Sequence, residues 1–130
     1  TIKLKYLDRW NAQRKTLADV YKESLPTPFV TPPQELSHTV QNYHVYVVRA
    51  QRRDALQTYL ENQHGIQTNV YYPVPLHLQK SNEFLGYRKG DFPEAERACE
   101  EVLALPMYPE MKPEIVHIVC EAVKTFYKSN

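Results

Sequence analysis

Tyr71 and Tyr72 run into Pro73-Val74-Pro75-Leu76-His77, the stretch of this chain whose residue types could do chemistry. An imidazole donates or accepts hydrogen bonds and changes charge near neutral pH. The two prolines fix φ and remove backbone donors, so the chain reaches His77 along a stiff path. A stiff frame around such a ring suits a binding site; the alternative is that His77 caps or packs at the end of the preceding strand. Tyr71 and Tyr72 close that strand, a place from which side chains reach a ligand while their rings pack on the sheet. With ten tyrosines in the chain, the alternative for each is a boundary residue with a buried ring and a wet hydroxyl. Arg88 and Lys89, in Gly86-Tyr87-Arg88-Lys89-Gly90, could meet a phosphate or form a solvated turn. Arg49, Arg52 and Arg53 make a second basic group, read as surface. His38 and His44 have no evident partners and read as structural. No local spacing pairs a serine or cysteine with histidine for nucleophilic catalysis. The five histidines (His38, His44, His64, His77, His117) show no zinc-type spacing with Cys99 or Cys120, so no metal site is expected.

The elements that must position this edge follow from periodicity and punctuation. Residues 1–25 read as one long helix with the stripe Leu4, Leu7, Trp10, Leu17, Tyr21. Lys3, Lys5 and Arg9 crowd its first turns, where the helix dipole favours acids. The helix is therefore expected to begin upstream and the chain to be a piece of a longer protein. Pro26, Pro28, Pro32 and Pro33 make residues 26–37 an extended connector. Tyr43 to Ala50 is the clearest strand, apolar on both faces and so expected to be covered on both sides. Arg53 to Gln63 reads as a helix with Leu56, Tyr59 and Leu60 on one face and Gly65 as its C-terminal cap. Ile66 to Tyr72 alternates like a half-buried strand. Beyond the irregular patch, Asp91 and Glu94 have capping-box spacing around Pro93. The helix they open would turn Ala95, Ala98, Cys99 and Val102 inward and Glu96, Arg97, Glu100 and Glu101 outward. Leu103 to Met107 reads as a last strand. A final helix from Pro113 would present Ile115, Ile118, Val119, Ala122 and Phe126 to the core. The order predicts an α+β body over residues 38–130, a two-layer small domain with helices packed on a small sheet.

Composition bounds the rest. At 130 residues with 42% hydrophobic and 24% charged residues and a net charge of +1, the chain suits one soluble domain. It has no electrostatic case for nucleic acid or an anionic membrane. No apolar run approaches the ~18 residues of a transmembrane helix, and no secretory signal precedes the first helix. Cys99 and Cys120 both fall in helical apolar patterns, as inert thiols do in a reducing compartment; a cytoplasmic protein is expected. The three glycines (Gly65, Gly86, Gly90) fit turns or caps and cannot build a phosphate loop.

Taken in order, Tyr72-Pro73, Pro75-Leu76-His77, Gly90-Asp91-Phe92-Pro93, Leu105-Pro106 and Tyr108-Pro109 resemble the carboxy-terminal domain of the DegT/StrS-type sugar aminotransferases. The likeness extends through YHVYVVRA, RRDALQTYLENQHGIQT and the opening helix. It implies the small C-terminal domain of a pyridoxal-phosphate enzyme with the aspartate-aminotransferase fold. The whole protein would move an amino group, normally from glutamate, to a nucleotide-linked ketosugar and work as a homodimer. It further implies that His77, Tyr72 and Tyr71 face the sugar nucleotide at the domain interface; many relatives carry histidine where Tyr71 stands. The Schiff-base lysine, the acid facing the pyridine nitrogen and the phosphate cup would belong to an upstream domain. No catalytic or cofactor-binding residue is expected in this chain, and Lys80 is not assigned such a role. On that reading the fragment alone is inactive. Two alternatives stand beside it: a stand-alone α+β small-molecule-binding or regulatory module, and a pyridoxal-phosphate-dependent sugar dehydratase relative or a member that has lost catalysis.

Overall fold

In the computed structural model, which describes residues 2–129, the opening helix starts as a 3-10 turn, Lys3–Tyr6, and continues as α1, Leu7–Ser24. Its stripe meets the core only at its C-terminal half: Leu17, Ala18 and Tyr21 are buried, whereas Leu4 and Leu7 are exposed. The helix ends at Leu25, which is extended ahead of Pro26, as the proline ring requires of its predecessor.

The proline-rich connector contains a strand that its composition conceals. Val30–Thr31 (β1) pairs antiparallel with Ala50 and Arg49 of β2, Tyr46–Ala50. The pair lies between prolines, so it can be only short and only at a sheet edge. Helix α2, Arg53–His64, follows at once, and Gly65 closes it in the left-handed region at φ 64°. There Gly65 N–H donates to Glu61 O and Ile66 N–H to Leu60 O, both at 3.0 Å. A Cβ at Gly65 would touch nothing within 4 Å, so a substitution there tests backbone strain alone. Gly65→Ala is expected to cost about 1 kcal/mol and Gly65→Asn less, measured as a shift in urea midpoint at unchanged slope.

Helix α3, Pro93–Glu101, runs directly into β3, Val102–Leu105, which lies antiparallel to β2 with Tyr46 opposite Leu105 and Val48 opposite Leu103. The sheet order is β1-β2-β3. Helix α4, Pro113–Lys128, packs against α1 and α2 on one face of this sheet. Tyr46, Val48, Ala50, Leu103, Leu105 and Val30 meet Tyr21, Leu56, Leu60, Val119 and Val123 in the core. This is the two-layer α+β arrangement that the element order predicts.

Several expectations are corrected. The strand expected from Tyr43 begins only at Tyr46; Tyr43 itself sits at φ 47°. Its second face is only partly covered, with Val45 exposed and Val47 half-buried. Ile66 to Tyr72 is not a strand: Asn69 makes a single bridge to Ala104, with N–H···O distances of 3.1 and 2.8 Å. Pro73 and Pro75 lie just beyond and cannot donate to a ladder. On α4 the buried residues are Val116, Val119, Cys120, Ala122, Val123 and Phe126; Ile115 and Ile118 face out. The apolar arc of α4 is wider than its contact, and the positions of α1 and α2 decide which edge is covered. Burial pushes the Cys120 thiol up to about 12, which makes it the inert cysteine that was expected.

Candidate functional site

After Pro75 the chain tightens into two 3-10 segments, Leu76–Leu78 and Lys80–Leu85, ending at Gly86 with φ 75°. The backbone turn is closed by Leu78 N–H to Pro75 O at 3.0 Å, and the Asn82 side-chain amide donates to Leu76 O at 2.7 Å. This short, side-chain-braced path places His77 against α3. Its side chain is only 8% exposed, and Nε2 lies 3.0 Å from Glu96 Oε1. The Phe92 ring covers the imidazole at a centroid distance of 4.8 Å, and Tyr87 meets Phe92 edge-on at 5.0 Å.

The same carboxylate oxygen accepts from Gly90 N–H at 2.8 Å. Glu96 is therefore an inward-facing residue, against the expectation that it lies on the outer face of α3. The capping box is also absent. Asp91 accepts from Arg88 N–H at 2.8 Å, Glu94 pairs with Arg97, and Phe92 precedes the helix without a side-chain cap. The contact that ties the turn to α3 is made instead by Glu96, through Gly90 N–H. The residues assigned to the inner stripe are instead the open ones: Ala95 is exposed, and Ala98, Cys99 and Val102 are half-buried. Ala95, Ala98 and Cys99 line a groove of about 520 Å³ together with Tyr72, Leu76, His77 and Phe92; Val102 lines a second, of about 460 Å³ over the outer sheet face, which shares Tyr72, Ala98 and Cys99 with the first.

Tyr71 and Tyr72 are 54% and 62% exposed. Both border the groove on the sheet face, and Tyr72 also borders the one that His77 lines. The structure thus brings the three residues to one edge in different states, two open phenols and one enclosed imidazole. The other candidates fall away from it. Arg49 pairs with Glu101 at 3.1 Å, Arg52 lies over the Phe126 ring, and the buried Arg53 donates to Val102 O at 2.9 Å. Arg88 and Lys89 stand on an exposed turn. His44 lines the sheet-face groove, a position that nothing in its local sequence marks.

The Gly90 N–H, and after it His77, holds the Glu96 carboxyl below its ordinary range, against a partial burial that pushes it up. A carboxylate depressed in this way contributes stability above its unfolded pKa and loses it as pH falls through the folded one. Gly90 amide exchange is expected to remain protected from neutral pH down to the ordinary glutamate range and to accelerate only below it. Hydrogen exchange followed against pH checks this; loss of Gly90 protection already well above the ordinary glutamate range would contradict it.

A pyridoxal phosphate group needs a desolvated lysine and an anion cradle. Among the described residues every lysine is exposed or half-exposed, and Lys15 and Lys124 are held by Asp19 and Glu121 at 2.5 and 2.7 Å. Lys80 is exposed beside a shallow hollow under Tyr71 and Tyr72. These residues do not fit the cofactor.

The chain matches the model of the DegT/DnrJ/EryC1/StrS aminotransferase family over residues 1–124. It is 44% identical to the pleiotropic regulatory protein of Geobacillus stearothermophilus, over 98% of this chain and 35% of that protein. It is 38% identical to the dTDP-3-amino-3,6-dideoxy-alpha-D-galactopyranose transaminase of Aneurinibacillus thermoaerophilus, over 97% of this chain and 34% of that enzyme. The crystal structure of S. venezuelae DesV in complex with a ketimine intermediate superposes with a TM-score of 0.90 at 34% identity, over 96% of this chain and 34% of that one. The chain spans about a third of the length of the curated relatives it matches.

Proposed function

The chain belongs to the DegT/DnrJ/EryC1/StrS aminotransferase family, and from that premise we propose that it is the carboxy-terminal small domain of a nucleotide-sugar aminotransferase. The whole protein transfers an amino group, with glutamate as donor, to a keto group on a nucleotide-linked sugar, and works as a homodimer. Pyridoxal phosphate supplies the electron sink for that exchange and is held by residues upstream of this chain. The helix through Ser24 leads into the domain, and the connector that follows supplies the edge strand Val30–Thr31 to the α+β body.

The observation that carries the reading is the open edge at Tyr71 and Tyr72 beside an apolar groove, on the segment that bears the family's ordered motifs. Exposed phenols offer a flat apolar face and a hydroxyl, which suits a nucleotide-linked sugar whose base stacks and whose hydroxyls pair. His77 stands behind them and sets the wall of the groove. Exposed Leu76, Phe84 and Leu85 continue the apolar surface outward, as a domain or subunit contact requires.

The test uses the whole protein with glutamate, pyridoxal phosphate and a nucleotide-linked ketosugar. An aminated sugar and 2-oxoglutarate are expected in equal amounts. The 130-residue chain alone should give neither product, and should develop no stable absorbance with pyridoxal phosphate that depends on one lysine. Such a lysine-dependent absorbance in the isolated chain would overturn the assignment of the cofactor to upstream residues.

A further inference from the structure

One carboxylate oxygen holds both the His77 ring and the Gly86–Gly90 turn. Glu96 Oε1 lies 3.0 Å from His77 Nε2 and 2.8 Å from Gly90 N. The two side chains are 8% and 11% exposed, so water does little to compete. An ionised carboxylate can only accept, hence the hydrogen between it and the ring belongs to Nε2. Phe92, packed on the ring at 4.8 Å, resists the rotation that would exchange the two nitrogens. Among the described residues Nδ1 has no hydrogen-bond partner, and His77 lines the groove between the 3-10 segments and α3.

We infer that Glu96 is a positioning residue: it fixes His77 with its hydrogen on Nε2 and so reserves Nδ1 as an acceptor for a ligand group that donates, a hydroxyl or an ammonium. This rests on the reading of the edge as the sugar-facing side, sugar hydroxyls being donors of that kind. The Gly90 contact gives the arrangement its second consequence. Ring and turn share one acceptor, so loss of the Glu96 carboxylate loosens both. Ionisation of Glu96 at neutral pH follows from the Gly90 and His77 contacts, which lower its pKa.

Two readouts test it. In nitrogen-resolved NMR of the wild-type 130-residue chain, His77 should show a proton on Nε2, an acceptor-type Nδ1, and slow exchange of the Nε2 proton with water. Glu96→Gln keeps an accepting oxygen and should retain that protection. Glu96→Leu keeps volume without an acceptor and should lose it, together with protection of Gly90 N–H. A wild-type Nε2 proton that exchanges freely, or a hydrogen on Nδ1, overturns the inference without any substitution; so does protection that survives in Glu96→Leu. In the whole protein Glu96→Leu should raise the sugar-nucleotide KM about tenfold, roughly the loss of one hydrogen bond. Glu96→Gln should restore most of it, and the glutamate half-reaction should be unchanged. Lost ring protection with an unchanged KM supports the positioning role and overturns the sugar-facing reading instead.

Discussion

Replacing Tyr21 by alanine is expected to lower the unfolding free energy by about 3–5 kcal/mol, the range for deleting a buried aromatic ring. Tyr21 has no exposed surface and joins three elements. From α1 its ring stacks on Tyr46 of β2 at 4.6 Å and 18°, and its hydroxyl donates to Pro106 O, just past β3, at 2.9 Å. Burial pushes the phenol far above its ordinary pKa, so the hydroxyl stays protonated and available as donor. Tyr21→Phe separates the contributions: it keeps the stack but strands the Pro106 carbonyl, at a cost of about 1–2 kcal/mol. Tyr46→Phe is the control. The Tyr46 hydroxyl is buried without a hydrogen-bond partner among the described residues, so its removal is expected to be neutral or stabilising. Urea denaturation of the three variants, compared at constant slope, decides the matter. Equal costs for the two phenylalanine variants would show that the Pro106 contact contributes nothing.

In the whole protein, His77→Ala is expected to lower kcat/KM for the nucleotide-linked sugar about ten- to a hundredfold, the scale of a lost hydrogen bond with the wall that it held. Cofactor content and the glutamate half-reaction should be unchanged, because the groups that hold the cofactor lie outside this domain in the proposed protein. Tyr72→Phe and Tyr72→Ala give the companion measurement. If the phenol contributes mainly a stacking face, the first is mild and the second approaches His77→Ala. Unchanged sugar kinetics in His77→Ala would count against the edge as a substrate surface, whereas loss of cofactor would point to a structural collapse. Gly90 exchange in the same variant distinguishes these outcomes, since Glu96 can keep its Gly90 contact without the imidazole.

Local chemistry made some parts legible and misled in others. The αL cap at Gly65, the helix that it ends, the β-branched run of β2 and the proline start of α4 each depend on residues within a few positions of one another, and each is present, with β2 shortened to Tyr46–Ala50. The Asp91 and Glu94 spacing obeyed the same local logic but lost to a competitor. Glu96 reaches both Gly90 and His77, and that second partner arrives from 19 residues away. A helical wheel that sorts residues by polarity turns Glu96 outward; a partner able to satisfy its charge is what turns it in. Likewise, on α3 Ala95 is exposed and Ala98 only half-buried, because none of the described residues packs fully over them.

The sequence by itself determined the helices and the central strand, the α+β class and the family, and it marked the stretch bearing Tyr71, Tyr72 and His77 as the candidate edge. These rest on local propensity, punctuation and ordered motifs, all of which are written along the chain. Only the tertiary structure decided which faces are covered, that Val30–Thr31 joins the sheet while Ile66 to Tyr72 nearly does not, and that His77 is enclosed while the tyrosines are open. Those outcomes depend on contacts between residues far apart in sequence, where the partner's position, and not the residue's own character, settles whether a group is buried, paired or left to meet a ligand.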